Sequence, residues 1–444
     1  MRAATILERP WRAPETVLSA FADDPWTCAF LSGGGSERAR WSYVLREPDA
    51  TLTVAAEDRA NPFAAMTALL GPRRPTHPEG PPFQGGLAGL AAYELGDRIE
   101  PLNLTRHADW ADLGLGRFPN LLAFDHQERR VLAVGEDAAG AERAAAWLDM
   151  PERAERAGPL VARADPPTTA ETYEAAVAEV IARIHDGEYF QANIARLWTG
   201  RLATGATPFD LLARLAGQSA APFAGYLRLP GRAVVSNSPE RFVSVNASQD
   251  LTVETRPIKG TRPRGATPAE DARLAAELLA SDKDRAENLM IVDLMRNDLS
   301  RVCTPGAVTT PELFRVESFA NVHHLVSTVR GRLAPGLTAI DLLEAAFPPG
   351  SVTGAPKVQA MKSIARLEPP RGAYCGALLW AGFDGAFDSS VLIRTVGLVE
   401  DNAGWRYEAR AGAGIVADSD PRAERLETEA KIAALLRALM GPLP

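Results

Sequence analysis

Lys259 lies in a stretch of restricted backbone that could present a nucleophile. The segment 256–265 reads Arg-Pro-Ile-Lys-Gly-Thr-Arg-Pro-Arg-Gly. Lys259 therefore follows Pro257 by two residues and directly precedes Gly260. Proline fixes its own φ, and glycine permits close approaches that a side chain would block. The alternating segment 251–255 predicts a strand, which places Lys259 at or just beyond a strand end. A solvated turn lysine is the commoner outcome for such a residue, whereas a desolvated amine could attack a substrate.

Carboxylates fall on the apolar faces of two predicted helices. Glu287 lies on the apolar stripe of a helix predicted at 282–298, and Glu424 and Glu427 share a face of a helix predicted at 421–440. A buried carboxylate is costly unless it is paired or bound to a cation. Mg²⁺ prefers oxygen ligands and keeps several waters. The pattern suggests a magnesium site, although either acid could instead form an ordinary ion pair.

Other segments carry residues suited to acid or anion chemistry. Glu240 follows a strand in a proline-fixed turn, where partial desolvation would suit a general acid. His323 and His324 are adjacent on an extended segment, so one ring could face inward and the other outward, and a structural histidine is the commoner case. The candidates for binding a substrate carboxylate are Arg394, Lys431 and the backbone of Gly412, Ala413 and Gly414.

Patterning divides the chain into two parts. Residues 1–150 predict a mixed α/β lobe, 151–168 a charged and proline-rich linker, and 169–444 the region with every candidate site. Thr267, followed by proline and then glutamate, predicts a capped helix start. The elements predicted around the candidate residues are helices at 169–185, 268–280, 282–298 and 421–440, and strands at 189–198, 375–383 and 390–398.

Composition narrows the function classes. The 444 residues are 46% hydrophobic and 23% charged, which is ordinary for a soluble globular protein. The net charge of −8 argues against nucleic-acid binding as the main function. Cys28, Cys303 and Cys375 match no metal or redox spacing and predict reduced thiols in a cytoplasmic protein. We expect no signal peptide and no membrane span, because no apolar run is long enough for either.

Taken together, the motifs resemble those of one family, the chorismate-utilising enzymes. The matching segments are 186–193 (DGEYFQAN), 238–242 (SPERF), 257–261 (PIKGT), 281–290 (SDKDRAENLM), 296–298 (RND), 350–357 (GSVTGAPK), 412–416 (GAGIV) and 424–428 (ERLET). In this order the set is highly specific, and it spans about 170–440. The first lobe matches more loosely, at 30–33 and 83–86.

The resemblance implies a fold and a set of roles. The fold would be α+β, a large sandwich of two antiparallel sheets with helices outside and the site in a central cleft, as in anthranilate synthase component I. Mg²⁺ would lie between Glu287 and Glu427, with Glu424 beside them, and Glu240 would protonate the departing 4-hydroxyl of chorismate. The residues implied to hold the substrate are Gln191, Thr261, His323, Arg394, Gly412, Ala413, Gly414 and Lys431.

Two positions divide the branches of the family. Relatives that add water carry a lysine base where this chain has Gln191, which argues against isochorismate or salicylate synthesis. Anthranilate synthases typically carry alanine at the position of Lys259, whereas aminodeoxychorismate synthases carry lysine there. The resemblance therefore implies the aminodeoxychorismate branch, which serves 4-aminobenzoate and folate biosynthesis. Anthranilate synthesis is the alternative, and a catalytically silent scaffold is a third hypothesis that the intact site residues disfavour.

The implied reaction sets conditions on the nucleophile and on the partner. Lys259 would form a covalent adduct with the ring, so it must be neutral when it attacks. Desolvation, Arg256 or Arg262 is expected to lower its pKa. No segment has the context of a glutaminase cysteine, so a separate glutamine amidotransferase subunit would supply the ammonia.

Overall fold

Two large antiparallel sheets form the centre of the protein. The computed structural model describes residues 3–33, 39–154, 156–161, 166–219, 221–247, 250–319 and 322–441. The first sheet contains β1 (Thr5–Pro10), β2 (Cys28–Leu31), β3 (Trp41–Leu45), β7 (Asn120–Asp125), β8 (Arg130–Gly135), β9 (Gln191–Arg201), β10 (Phe223–Leu229), β11 (Arg232–Ser238), β17 (Gly354–Ala355), β20 (Thr395–Asp401) and β21 (Gly404–Ile415). The second contains β4 (Ala50–Val54), β5 (Gly86–Ala91), β6 (Leu113–Phe118), β12 (Arg241–Asn246), β13 (Thr252–Thr255), β14 (Ile258–Pro263), β15 (Thr309–Ser318), β16 (Val322–Arg332), β18 (Ala377–Gly382) and β19 (Phe387–Val391).

Helices cover the outer faces of both sheets. They are α1 (Pro14–Ser19), α2 (Pro62–Leu70), α3 (Ala138–Ala146), α4 (Ala170–His185), α5 (Pro208–Ser219), α6 (Pro268–Ala280), α7 (Asp282–Ser300), α8 (Ala339–Ala346), α9 (Lys357–Leu367) and α10 (Pro421–Met440), with 3₁₀ turns at Tyr93–Arg98, Trp147–Asp149 and Gly350–Val352. Helices α3, α4, α5, α9 and α10 pack on the first sheet, and α2, α6, α7 and α8 on the second. No helix in the described part of the chain is long and apolar enough to span a membrane.

The sheets pack face to face around an apolar layer. Its side chains include Tyr43, Leu121, Leu227 and Val234 from the first sheet, and Leu90, Phe118, Leu378 and Trp380 from the second. Because helices cover the opposite faces, strands such as β5 and β18 are buried on both sides. Two such sheets with helices outside bury the apolar surface of every layer.

Both sheets contain strands from before and after the predicted linker at 151–168. In the first sheet β2 pairs with β10, and in the second β5 pairs with β18. The segment 151–168 therefore joins two parts of the same pair of sheets, and its standing as a domain boundary stays a prediction.

The helices that carry candidate residues begin where the capping residues indicate. The Thr169 side chain accepts a hydrogen bond from the Thr172 N–H at the start of α4, and Thr267 accepts one from the Glu270 N–H at the start of α6. The Glu270 carboxylate accepts a hydrogen bond from the Ala266 N–H, so the reciprocal bond from the Thr267 N–H that would complete a capping box is missing at this helix start. The helices predicted at 282–298 and 421–440 are present as α7 and α10.

The single strand predicted at 390–398 is wrong. Strand β19 ends at Val391 in the second sheet, and β20 begins at Thr395 in the first. Between them Arg394 adopts φ 53°, a left-handed conformation that breaks the extended backbone. Apolar residues continue through the break because the chain remains largely buried where it crosses between the sheets. The sequence pattern of 390–398 therefore looks like that of one continuous strand.

The buried Arg371 links strand β9 to the turn at 350–352, and both segments carry residues of the candidate site. The Arg371 guanidinium donates to both carboxylate oxygens of Glu368, at 2.9 and 3.0 Å. It also donates to the backbone oxygens of Val352 at 2.9 Å and Asn193 at 2.7 Å. Glu368 in turn accepts from the Ala195 N–H at 2.7 Å. The pair thus fixes β9 against the loop that follows α8.

We expect Glu368→Ala to lower the free energy of unfolding by about 3–5 kcal/mol, because it leaves the Arg371 charge buried without its counter-ion. Urea unfolding followed by circular dichroism measures the change. The matched control is Glu179→Ala, which removes an exposed (i, i+4) partner of Arg183 and should cost at most about 0.5 kcal/mol. Equal costs for the two variants would contradict the structural role of the buried pair.

Candidate active site

Lys259 is fixed beside α7 by the glycine that follows it. Gly260 adopts φ 82°, and a Cβ at that position would lie 2.8 Å from Asp284 Cγ. Only glycine therefore allows β14 to approach the first turn of α7 so closely. The Lys259 Nζ donates to the Ser351 backbone oxygen at 3.3 Å. The lysine thus points into the protein and not into solvent.

Burial lowers the pKa of Lys259, and the neighbouring Lys431 ammonium lowers it further, while Glu287 and Glu240 oppose the shift. The two arginines expected to contribute are engaged elsewhere. Arg262 pairs with Glu277 and Asp284, each at 3.1 Å, and Arg256 pairs with Glu317. Desolvation is therefore the main cause of the lowered Lys259 pKa. The contribution expected from Arg256 and Arg262 is wrong, because both arginines are paired with other acids.

Glu240 is placed to act as an acid. It lies in the turn between β11 and β12 and is only 6% exposed. Its backbone N–H donates to Ser238 Oγ at 3.2 Å, which holds the turn. Burial raises the pKa of Glu240, although a hydrogen bond with Ser351 and the charges of Lys259 and Lys431 act in the opposite direction. The protonated form is therefore favoured, as a proton donor requires.

The three acids on α7 and α10 lie close enough to influence one another. Burial raises the pKa of both Glu287 and Glu424, and the Glu424 charge raises that of Glu287 further. Glu427 also raises the pKa of Glu424, but its own pKa is lowered because Lys431, 2.5 Å away, outweighs the effect of burial. Such mutual repulsion between carboxylates is what a cation would relieve.

A metal in this place would have few protein ligands. Within the described residues, no three histidine, cysteine, aspartate or glutamate side chains converge in a way that could hold a metal ion. Glu424 is turned toward Ser419 Oγ, at 2.7 Å, and Glu427 toward Lys431. One or two carboxylates with waters and substrate oxygens is nevertheless the usual arrangement for Mg²⁺. The donor chemistry of Glu287 and Glu427 fits that ion.

Two glycines of β21 leave room for side chains from its neighbour β9. A Cβ on Gly414 would clash with the Gln191 amide nitrogen and lie 3.5 Å from Lys259 Nζ. A Cβ on Gly412 would lie 2.6 Å from Asn193 Oδ1. These glycines are needed for close approach, since neither has a positive φ. Gln191 is thereby brought next to Lys259.

The two cationic candidates, Lys431 and Arg394, also lie beside the glycines of β21. Lys431 Nζ donates to the Gly412 backbone oxygen at 2.9 Å, and Arg394 donates to the Lys431 backbone oxygen. Burial lowers the pKa of Arg394, with Tyr374 and Glu427 opposing. The Ala413 side chain, by contrast, packs in the apolar cluster under α4 and α9, so only its backbone is available to a ligand.

The two histidines take opposite faces, and His323 is not at the site. It is 2% exposed, and its ring bonds to Ser318 Oγ at 2.8 Å and to Asp271 at 2.9 Å on the far side of β16. His324 takes the near face instead, where its Nδ1 lies 2.9 Å from Thr261 Oγ1. Burial lowers the pKa of His324 to about 4, and the Arg394 guanidinium contributes to the shift. The imidazole predicted at His323 is therefore supplied by His324.

Sequence reasoning also missed three residues that the structure brings to the site. Ser351 bonds to both Lys259 and Glu240, and Tyr374 and Asn193 flank Gly412. A weak signal existed for Ser351, which belongs to one of the matching segments. Asn193 follows Gln191 by two residues, so strand periodicity places both on one face.

A large cavity lies apart from this cluster. It has a volume of about 1010 Å³, lies between the sheets, and is lined by charged and aromatic residues that include Trp41, Tyr43, Arg241, Glu254 and Asp388. None of the predicted site residues lines it. We place the site by the lysines and carboxylates described above, because they and not the cavity carry groups suited to the chemistry.

Comparisons with known proteins show which family and relatives the chain resembles. A family model described as chorismate binding enzyme matches residues 27–437. The chain is 38% identical over 450 residues to aminodeoxychorismate synthase component 1 of Escherichia coli K12, with 97% of each chain covered. It is 40% identical over 435 residues to anthranilate synthase component 1 of Streptomyces coelicolor, with 92% of this chain and 82% of the relative covered.

A solved structure shares the fold. Anthranilate synthase component I from Streptococcus pneumoniae matches with a TM-score of 0.79 and 28% identity, and the match covers 90% of this chain and 93% of the other. The α+β sandwich of two antiparallel sheets with outer helices, expected from the sequence, is confirmed.

We expect the His324 ring to stay neutral from about pH 5.5 to about pH 8, because its lowered pKa lies below this range. The ring ¹⁵N chemical shifts of labelled protein should therefore not titrate over that interval. His324→Gln identifies the signal. A titration midpoint near 6.5, the value of an unperturbed histidine, would contradict the buried placement beside Arg394.

Proposed function

The chain belongs to the chorismate binding enzyme family, and from this premise we propose that it acts as component I of an aminodeoxychorismate synthase. It would replace the 4-hydroxyl of chorismate with ammonia to give 4-amino-4-deoxychorismate, the precursor of 4-aminobenzoate in folate biosynthesis. The observation that carries the proposal is a half-buried lysine of lowered pKa, Lys259, bonded to the same serine as a buried acid, Glu240. A purely binding function needs neither a desolvated amine nor a buried acid.

The first half of the reaction uses Lys259 and Glu240 together. The neutral Lys259 amine forms a bond to C2 of the ring, both ring double bonds shift (C1=C2 to C1=C6, and C5=C6 to C4=C5), and the C4–O bond breaks. Glu240 gives its proton to the departing oxygen, which leaves as water. Lowering the pKa of the lysine and raising that of the acid both favour the protonation states that this step needs.

The second half restores the enzyme. Ammonia forms a bond to C4, both double bonds shift back to their original positions, and the C2–N bond breaks, so that the electron pair returns to the Lys259 nitrogen. The extra proton on the new amine passes to the Glu240 carboxylate, which regenerates the acid. One difficult displacement is thereby divided into two easier ones.

The remaining side chains would hold the substrate. Arg394, Lys431 and His324 would face its carboxylates, with Thr261 orienting the His324 ring. Glu287 and Glu427 would hold Mg²⁺, with Glu424 beside them. When bound, that ion neutralises the ring carboxylate. The mutual effect of the three acids on their pKa values supports this assignment.

Ammonia would come from a glutamine amidotransferase partner, and the reaction would take place in the cytoplasm. Burial raises the pKa of all three cysteines, to about 11 for Cys303 and about 12 for Cys375, so none resembles an activated glutaminase nucleophile. All three are free thiols, as a reducing compartment favours.

The proposal predicts a specific product. Purified protein with chorismate, ammonium and Mg²⁺ should release 4-amino-4-deoxychorismate, identified by liquid chromatography and mass spectrometry, and removal of Mg²⁺ with EDTA should abolish its formation. Glutamine alone should not support turnover without the partner subunit. Anthranilate and pyruvate as the sole products would instead establish the alternative synthase activity. Absence of any turnover would favour a catalytically silent scaffold.

We expect Lys259→Ala to lower the amination rate at least about a hundredfold, because it removes the proposed nucleophile. The control is Lys362→Ala, which replaces an exposed lysine on α9 and should leave the rate unchanged. Initial rates at saturating chorismate and ammonium measure both. If Lys259→Ala retains the wild-type rate, the covalent role is excluded.

A further inference from the structure

Two side chains on β9 end in polar atoms that the protein leaves unpaired. Gln191 is fully buried, and Asn193 is 6% exposed. Across the described ranges, neither the nitrogen nor the oxygen of the Gln191 amide has a hydrogen-bond partner, and the same holds for Asn193 Oδ1. An unpaired buried polar atom destabilises the folded protein. Three of them side by side indicate a place that a polar ligand completes.

The unpaired atoms face the reacting centre. Residues two apart on a strand share a face, and here that face lies over Gly412 and Gly414 of β21. We call the space bounded by Gln191, Asn193, Gly412 and Gly414 the amide recess. A Cβ on Gly414 would meet both the Gln191 amide and Lys259 Nζ, so the recess opens beside the nucleophile.

The Asn193 backbone is held firmly on both sides. Its N–H donates to the Thr353 backbone oxygen at 2.8 Å, and its own oxygen accepts from Arg371 at 2.7 Å. The residue also pairs with Gly414 in the sheet. The Cα of Asn193 is therefore fixed before a ligand binds. A small ligand can then be held with little loss of protein conformational entropy.

The chemistry of the recess suits an N–H donor. Two of the three unpaired atoms, Gln191 Oε1 and Asn193 Oδ1, are amide oxygens that can only accept hydrogen bonds. They would repel the oxygens of a substrate carboxylate. An ammonium cation has no lone pair with which to attack, so the ligand must be neutral ammonia. Neutral ammonia has three N–H groups and one lone pair, so two acceptors can hold it and leave that pair free.

We propose that the amide recess holds the attacking ammonia, with Asn193 Oδ1 and Gln191 Oε1 accepting its N–H groups. This inference rests on the proposed function. The free lone pair forms the C4–N bond while the C2–N bond to Lys259 breaks and its electrons return to the lysine. The surplus proton passes to Glu240. Asn193 is thereby a specificity residue for the nucleophile and not for chorismate.

The test compares Asn193→Ala with wild type in the ammonium-dependent reaction. Loss of one hydrogen bond should raise KM for ammonia about tenfold, while KM for chorismate stays within about twofold. Thr199→Ala, farther along β9 and away from the recess, is the matched control and should change neither constant. Asn193→Ser, which retains a hydroxyl oxygen, should recover part of the affinity for ammonia.

A second readout isolates the ammonia step. With ammonium well below KM, rapid quenching and intact-protein mass spectrometry should show more of the chorismate-derived adduct on Asn193→Ala than on wild type, because the adduct waits longer for its nucleophile. A merely structural role for Asn193 would lower adduct formation together with turnover.

The outcomes separate the inference from the function beneath it. Wild-type protein that does not aminate chorismate overturns the proposed function, before any variant is compared. Wild-type amination with an unchanged ammonia KM in Asn193→Ala overturns the recess alone. A parallel rise in KM for chorismate also overturns it, since Asn193 would then serve the ring. If Asn193→Ala melts far below wild type, Asn193→Ser decides by the same criteria.

Discussion

The partial burial of Lys259 beside the buried Glu240 is the constraint on which this structure depends. Desolvation favours the neutral forms of both Lys259 and Glu240, whereas their mutual attraction favours the charged forms. An open, hydrated cleft would let the pair settle as an ammonium and a carboxylate, which can neither attack nor donate a proton. The proposed chemistry therefore requires that water be excluded, and the two sheets with their outer helices provide that exclusion.

The architecture supplies the positions as well as the dry environment. Lys259 comes from the second sheet, whereas Gln191 and the glycines at 412 and 414 come from the first. Arg394 stands where the chain crosses from one sheet to the other. The site is thus assembled at the junction of the two sheets, and the buried Glu368–Arg371 pair holds the first sheet in register with the loop that carries Ser351.

Much of this could be predicted from the sequence, because short motifs at fixed spacing carry the lysine and the acids. It was harder to predict which of two adjacent residues on a strand faces the site. His323 and His324 are chemically identical, and only the pairing of β16 decides which ring faces the site. The break between strands at Arg394 was not predicted from the sequence, because the residues on both sides of it are buried and apolar. Asn193 and Ser351 contribute through contacts with residues about 90 or more positions away in the chain, so their partners become clear only in the fold.

The glycines opposite β9 also restrict how the site can change. A glycine has no side chain to lose, so every substitution at Gly412 or Gly414 adds atoms, and those atoms would collide with Asn193 or Gln191. Substitutions that reshape the recess are therefore easier to accommodate on β9, whose side chains can be exchanged while the glycine surface of β21 stays as it is.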